Sequence, residues 1–145
     1  GRDGLRVPVR DAMGLVYGYA VGVDMTRRDL QADAKDKGRP WEAGKSFVHA
    51  APCSTITPMH EAGDMEEAEI CLSVNGEVRQ SGDINQMIWK IPEIISRLSD
   101  LFPLHAGDLI FTGTPAGVGP VEIGDELQAN ISGLPALMFK ITAPT

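Results

Sequence analysis

At 145 residues the chain is one domain's worth of sequence, long enough to bury a core, and 43% of it is hydrophobic. A net charge of −7 argues against nucleic acid as a partner, because phosphates demand a basic face, and any anionic ligand must be held by local cations. No apolar run approaches the ~20 residues of a membrane span, and Cys53 and Cys71, in no Cys-x-x-Cys arrangement, read as thiols of a reducing, cytoplasmic compartment.

The chain opens Gly1-Arg2-Asp3-Gly4, with neither an initiator Met nor a signal-type apolar core, and an N-terminal fragment boundary is expected there. Pro8 ahead of Val9-Arg10-Asp11-Ala12-Met13 predicts a short helix. Residues 18 to 25 predict a strand through Tyr19, Ala20, Val21 and Val23 that delivers a carboxylate, Asp24, to its end. Thr26-Arg27-Arg28-Asp29 has the Thr-x-x-Asp pattern of a helix start, and a polar helix is expected over residues 26 to 37. Leu30 and Ala34 give that helix a weak apolar stripe, as for one lying on a surface. Arg28 and Gln31, one turn apart, face the same side, while Arg27 points to solvent. After a Gly38-Arg39-Pro40-Trp41 turn, Lys45 is presented in a loop, Gly44-Lys45-Ser46-Phe47.

Residues 54 to 59 predict a strand and residues 61 to 67 an acidic connection. Ala68, Ile70, Leu72 and Val74 then alternate with Glu69, Cys71 and Ser73 up to Asn75-Gly76, the sequence signal of a type I′ hairpin turn, with residues 77 to 81 as the return strand. Ile91-Pro92 starts a helix to residue 101, with Ile94, Ile95 and Leu98 on one face and Glu93 and Arg97 on the other. Gly107-Asp108 turns into a strand over residues 109 to 112. Residues 126 to 132 and 134 to 142 form a closing antiparallel pair around Gly133-Leu134-Pro135. Short strands, frequent Gly and Pro turns and a few helices indicate one α+β domain, residues 1–145, that is mostly β and mostly antiparallel.

A carboxylate, an arginine, an amide and a lysine thus fall close together on element ends and loops, where binding groups concentrate. They are the inventory for a hard metal ion plus a small oxoacid. Residue by residue there are plainer roles: Asp24 as a charge near a helix start partnered by Arg27 or Arg28, and Lys45 as a solvated loop lysine. Thr112-Gly113-Thr114-Pro115-Ala116-Gly117-Val118-Gly119 lacks the Gly-Lys-Ser/Thr end of a P-loop, and no helical pattern follows it. His49, four residues beyond Lys45, fits a pocket or a structural role equally, and His60 and His105 read as solvated. With no Gly-x-Ser-x-Gly elbow and no His-rich setting for either Cys, nucleophilic hydrolysis by Ser or Cys is rejected.

In chain order, VDMTRRDLQ, AGKSF, VNGEVRQ, the segment from Met87-Ile88-Trp89 to Ile95, and FTGTPAGVGP together resemble the fumarylacetoacetate hydrolase superfamily over nearly the whole chain. The resemblance is closest to its acylpyruvate and fumarylpyruvate hydrolases. It implies a mixed β-roll or sandwich with short flanking helices. It implies Asp24 as the third carboxylate ligand of Mg2+ or Mn2+, with Lys45, Arg28 and Gln31 catalytic and Lys45, Arg28, Gly113 and Thr114 binding the substrate. It further implies a Glu-x-Glu ligand pair and a water-activating His–Glu dyad upstream. Residues 1 to 17 contain no Glu, so an N-terminally truncated catalytic domain with an incomplete metal site is expected.

The implied reaction is metal-dependent hydrolysis of a C–C bond in an acylpyruvate, giving pyruvate and a carboxylic acid, within aromatic compound degradation. The implied partners are a small oxoacid and, for the full-length protein, a second copy in a homodimer. Two rivals are an oxaloacetate decarboxylase or dienoate isomerase using the same enolate, and an inactive fragment or binding domain that keeps the fold.

Overall fold

The structure, a computed structural model, describes residues 1–63 and 65–143. Asp64, part of the acidic connection expected over residues 61 to 67, lies outside the described residues, as do Pro144 and Thr145. The N-terminal residues run into a one-turn helix α1 (Val9–Ala12), with Pro8 extended at its entrance as expected. A 3-10 turn (Met13–Leu15) leads to β1 (Gly18–Tyr19).

The strand expected over residues 18 to 25 is laddered only at β1, which pairs antiparallel with β2 (Thr57–Pro58). Beyond it the backbone stays extended and bonded to the segment before β2. Val21 accepts from Ser54 N at 2.8 Å, Val23 donates to Pro52 O at 3.0 Å, and Met25 donates to Ala50 O at 2.8 Å. Pro52 and Pro58 cannot donate to a ladder, so the pairing is real but interrupted. The strand expected over residues 54 to 59 shortens to β2, with Met59 taken into the helical turn that follows.

Helix α2 (Arg28–Asp36) starts two residues later than expected, with Arg27 at its N-cap and no side-chain cap. It buries none of its residues, in keeping with its thin apolar stripe. The loop expected around Lys45 is instead a one-turn helix, α3 (Glu42–Lys45), and a further turn, α4 (Met59–Ala62), takes the first two residues of the acidic connection expected over residues 61 to 67.

Strands β3 (Glu69–Val74) and β4 (Glu77–Asp83) form the expected hairpin. Asn75 and Gly76 both take positive φ, 52° and 82°, as a type I′ turn requires. Asn75 then clips this tip to the next element, β5 (Glu126–Ile131). Its Nδ2 donates to Asp125 Oδ1 at 2.8 Å, and its Oδ1 accepts from Glu126 N at 3.0 Å. The Asp125 carboxyl is held below its ordinary pKa, first by the Glu122 backbone N–H and then by the Asn75 amide. Because folding lowers it, Asp125 favours the folded state at neutral pH, and that contribution fades as pH falls through its lowered value.

At Gly76 an added Cβ would meet nothing within 4 Å, so a side chain there costs backbone strain alone. Gly76→Val is expected to destabilise the fold by about 1 kcal/mol or more. A thermal scan with an unchanged midpoint would refute the turn assignment.

Helix α5 (Ile91–Leu101) has Pro in its first turn, and the Glu93 carboxylate accepts from Lys90 N at 2.7 Å. Its most buried positions are Ile95 and Ser99, with Ile94 and Leu98 half-buried beside them. The Ser99 hydroxyl accepts from Val7 N at 2.8 Å and donates to Ser96 O at 2.7 Å, tying the N-terminal segment to α5. Residues 109 to 112, expected to be a strand, make no ladder among the described residues, and Leu109 and Phe111 are exposed. Extended backbone without a partner strand is all that the local pattern secures there.

The closing pair is β5 with β6 (Leu137–Lys140), and the main sheet runs β4-β3-β5-β6, antiparallel throughout, with β4 at one edge. Val21, Ala129 and Leu137 form one core cluster, and Ala62, Met65 and Ala68 another. Ile131 and Leu134 pack against both, joining the two-stranded ribbon to the main sheet. The result is the expected mostly-β α+β fold with short flanking helices. Its core is thin: the accessible surface is 9854 Å², about a third more than the ~7,300 Å² expected of a compact chain of 15.6 kDa.

Candidate active site

Asp24 stands at the end of the extended run that the backbone bonds of Val23 and Met25 hold in place. Lys45 reaches it from the last position of α3. Its ammonium donates to Asp24 Oδ1 at 2.5 Å and to Thr26 Oγ1 at 3.0 Å. The two side chains are 33% and 55% exposed, so the cluster is open to a ligand without being freely solvated. Thr26, expected at the helix start, does not cap α2, and its hydroxyl is instead an acceptor for Lys45. The cap motif thus pointed at the right residue for a different task.

Gly44 explains how α3 comes so close. It is buried, its carbonyl accepts from Arg27 N at 2.9 Å, and a Cβ there would sit 3.1 Å from Gln31 N and 3.2 Å from Gln31 Cβ. A side chain at this position would be tight against α2, and its absence lets α3 rest on the first turn of α2 and point Lys45 at Asp24. Arg28 Nη1 donates to Gln31 Oε1 at 3.3 Å, which commits one of its five donors. The structure therefore joins Asp24, Thr26 and Lys45 in one hydrogen-bonded cluster, with Arg28 and Gln31 bonded to each other on the adjoining helical turn. Arg27 is exposed, as expected, and also stacks its guanidinium over the Phe47 ring at 4.5 Å, bracing the segment after Lys45. An open cleft of about 460 Å³ lies beside Lys45, lined also by Arg39, Pro40, Trp41, Glu42 and Ser46. His49, which adopts a φ of 66°, is exposed.

The Gly113-Thr114 loop belongs to a second segment. Phe111 packs its ring against Gly22, where a Cβ would lie 2.7 Å from Phe111 Cε1. This sets the run that ends in Asp24 beside the segment that leads into Thr114. Gly113 has a φ of 123°, open only to glycine at low cost, with nothing within 4 Å of a Cβ position. The Thr114 hydroxyl accepts from Gln80 Nε2 at 2.7 Å. Gln80 was not singled out from sequence, although it ends the VNGEVRQ motif. Gly44 is likewise visible in the sequence only as a neighbour of Lys45. Partial burial pushes the Cys53 thiol up, which keeps it protonated and agrees with rejecting Cys nucleophilic chemistry.

Asp24 supplies one hard oxygen donor. Among the described residues no three His, Cys, Asp or Glu side chains come together as a metal site. One carboxylate does not hold Mg2+ against its reluctance to dehydrate. These residues fit one corner of a metal centre and not the whole of it. No helix among the described residues is long and apolar enough to cross a membrane.

Residues 1–142 match the family described as fumarylacetoacetate (FAA) hydrolase C-terminal. A fumarylpyruvate hydrolase of Ralstonia is 45% identical over 97% of this chain, which spans 73% of that protein. A mitochondrial oxaloacetate tautomerase FAHD1 of Homo sapiens is 46% identical over 95% of the chain, which here spans 62% of the relative. The crystal structure of fumarylpyruvate hydrolase from Pseudomonas aeruginosa in complex with Mn2+ and pyruvate superposes with a TM-score of 0.96, at 46% identity, over 99% of this chain and 62% of that one. The chain belongs to the fumarylacetoacetate hydrolase family.

Proposed function

We propose that these residues form the oxoacid-holding part of a metal-dependent hydrolase that cleaves the C–C bond of an acylpyruvate, fumarylpyruvate or a close analogue, into pyruvate and a carboxylic acid. The observation that carries this reading is the Asp24–Lys45–Thr26 cluster beside Arg28 and Gln31, in a chain so similar to a protein crystallised with Mn2+ and pyruvate. On this reading the Lys45 ammonium, held at Asp24, neutralises an enolate oxygen as pyruvate leaves, the kind of developing charge that a preorganised cation stabilises. The Arg28 fork suits the substrate carboxylate, with Gln31 fixing its orientation. Thr114 supplies a hydroxyl from the neighbouring loop. Mg2+ or Mn2+, when bound through Asp24 and carboxylates beyond this set, would supply Lewis-acid stabilisation of the keto acid. On this reading the enzyme serves aromatic compound degradation and works as a homodimer, whose interface would cover part of the excess accessible surface.

The tautomerase relatives favour a second reading, in which the same enolate of oxaloacetate is only reprotonated. Both use Lys45 in the same way and differ in whether a C–C bond breaks. Pyruvate release from fumarylpyruvate, followed with lactate dehydrogenase, supports the first. Loss of the oxaloacetate enol absorbance without pyruvate release supports the second.

Asp24→Asn tests the site itself. In the intact protein Mn2+ affinity by calorimetry is expected to fall at least ~10-fold, the lower bound for groups that merely support a metal ligand. Stability should change by less than ~1 kcal/mol, because an ion pair this exposed is worth little. Unchanged Mn2+ affinity would take Asp24 out of the ligand set.

A further inference from the structure

The geometry points to Gln80 as a positioning residue that fixes the hydrogen-bond polarity of Thr114, making its hydroxyl a donor toward the substrate carboxylate; this inference rests on the proposed function.

Gln80 lies on β4, the edge strand, and its Nε2 stands 2.7 Å from Thr114 Oγ1 and 2.7 Å from Pro115 O. A proline carbonyl can only accept, so the Gln80 atom facing it must be the NH2 group and not the amide oxygen. One amide hydrogen is thereby committed to Pro115. The second is left for Thr114 Oγ1, which acts as the acceptor. A hydroxyl that accepts from a fixed donor retains its own proton for a third group. Thr114 is exposed, and Gly113 before it leaves open space at its Cβ position, so an incoming anion has access. Thr114 then selects an acceptor, such as a carboxylate oxygen, over a donor.

The loop cannot drift away from this arrangement. Pro115 packs on Gly82 of β4, where a Cβ would lie 3.2 Å from Pro115 Cβ. Gly117 sits so close to β4 that its Cβ would fall 2.0 Å from Arg79 O. Three residues of one strand, Arg79, Gln80 and Gly82, therefore orient a single hydroxyl. None of them touches the proposed substrate, so the role of Gln80 is exerted through Thr114.

The test uses pyruvate as probe and the intact, Mn2+-loaded protein. Gln80→Glu preserves size, cannot donate to Pro115 O, and would accept the Thr114 proton instead of offering one. Pyruvate affinity by calorimetry is expected to fall about tenfold or more, the loss expected when a hydrogen bond to a charged group is removed and reversed. KM for the acylpyruvate should rise in step, with kcat changed much less. Gln80→Met, which removes both bonds without reversing either, should lose less affinity and covers the case in which Gln80→Glu does not fold. In a Thr114→Val background either Gln80 substitution should add almost nothing, the non-additivity of residues acting through one another.

Equal pyruvate affinity in Gln80→Glu, or losses that add fully to those of Thr114→Val, would overturn the inference while leaving the proposed function intact. Failure of the unsubstituted, metal-loaded protein to bind pyruvate would instead remove the proposed function, and this inference with it.

Discussion

Lys45→Met is expected to leave the fold and metal affinity in place and to lower kcat by about 100-fold, the scale of losing one preorganised oxyanion stabiliser. Methionine keeps the length and much of the apolar stem of lysine, so the packing of α3 on α2 through Gly44 survives. What disappears is a charge held 2.5 Å from Asp24 and 3.0 Å from Thr26. That exposed pair contributes at most ~1 kcal/mol to stability, so a thermal scan should move little. Because the enolate charge grows only as the C–C bond breaks, the loss should fall on kcat and kcat/KM together. A rise in KM alone would make Lys45 a uniform binding group and would contradict its assignment to the transition state.

How far the sequence predicted this site depends on which residue is asked about. The Asn75-Gly76 turn, α5 and the closing pair of strands were legible because local chemistry decides them: positive φ, a proline in a first turn, and apolar alternation. The span of residues 18 to 25 was legible as extended but not as interrupted, since the proline that breaks its ladder belongs to the partner segment. Residues 109 to 112 show the same limit, because alternation in one segment does not supply a partner strand. The helical turn at Lys45 was missed because four residues carry no usable period. Asp24 and Lys45 stand out by their places at a strand end and in a loop, their roles come from the family resemblance, and the structure adds that they meet. Thr26 was misjudged because a Thr before a helix is a fair cap candidate until a lysine from another element claims its hydroxyl. Gly44, Gly117 and Gln80 matter only through contacts with residues distant in the chain, which no local pattern encodes.

Gly117→Ala separates loop placement from fold stability. Gly117 has a φ of 101°, and an added Cβ would fall 2.0 Å from the Arg79 carbonyl oxygen, far inside contact distance, with Gln80 Cγ at 3.4 Å. The Arg79 carbonyl belongs to β4 and is backbone, so the loop is the partner that must move, by roughly 1 Å or more to regain ordinary contact. A shift of that size strains the bonds from Gln80 to Thr114 and Pro115, both 2.7 Å long. It also carries the Thr114 hydroxyl away from the substrate. Misplacement of a substrate-orienting group by about 1 Å can cost up to ~100-fold in rate, and because Thr114 acts on binding, the loss for the acylpyruvate is expected in kcat/KM, carried by KM more than by kcat. The loop is exposed and can relax, which limits the stability loss to about 1–3 kcal/mol of backbone strain. Gly113→Ala provides the comparison, since its φ of 123° is equally unfavourable but its Cβ would meet nothing within 4 Å. Its rate loss should therefore be smaller at a similar melting temperature. If Gly117→Ala turns over as fast as the unsubstituted enzyme, the docking of this loop on β4 does not position Thr114, and the second wall of the site must be sought elsewhere.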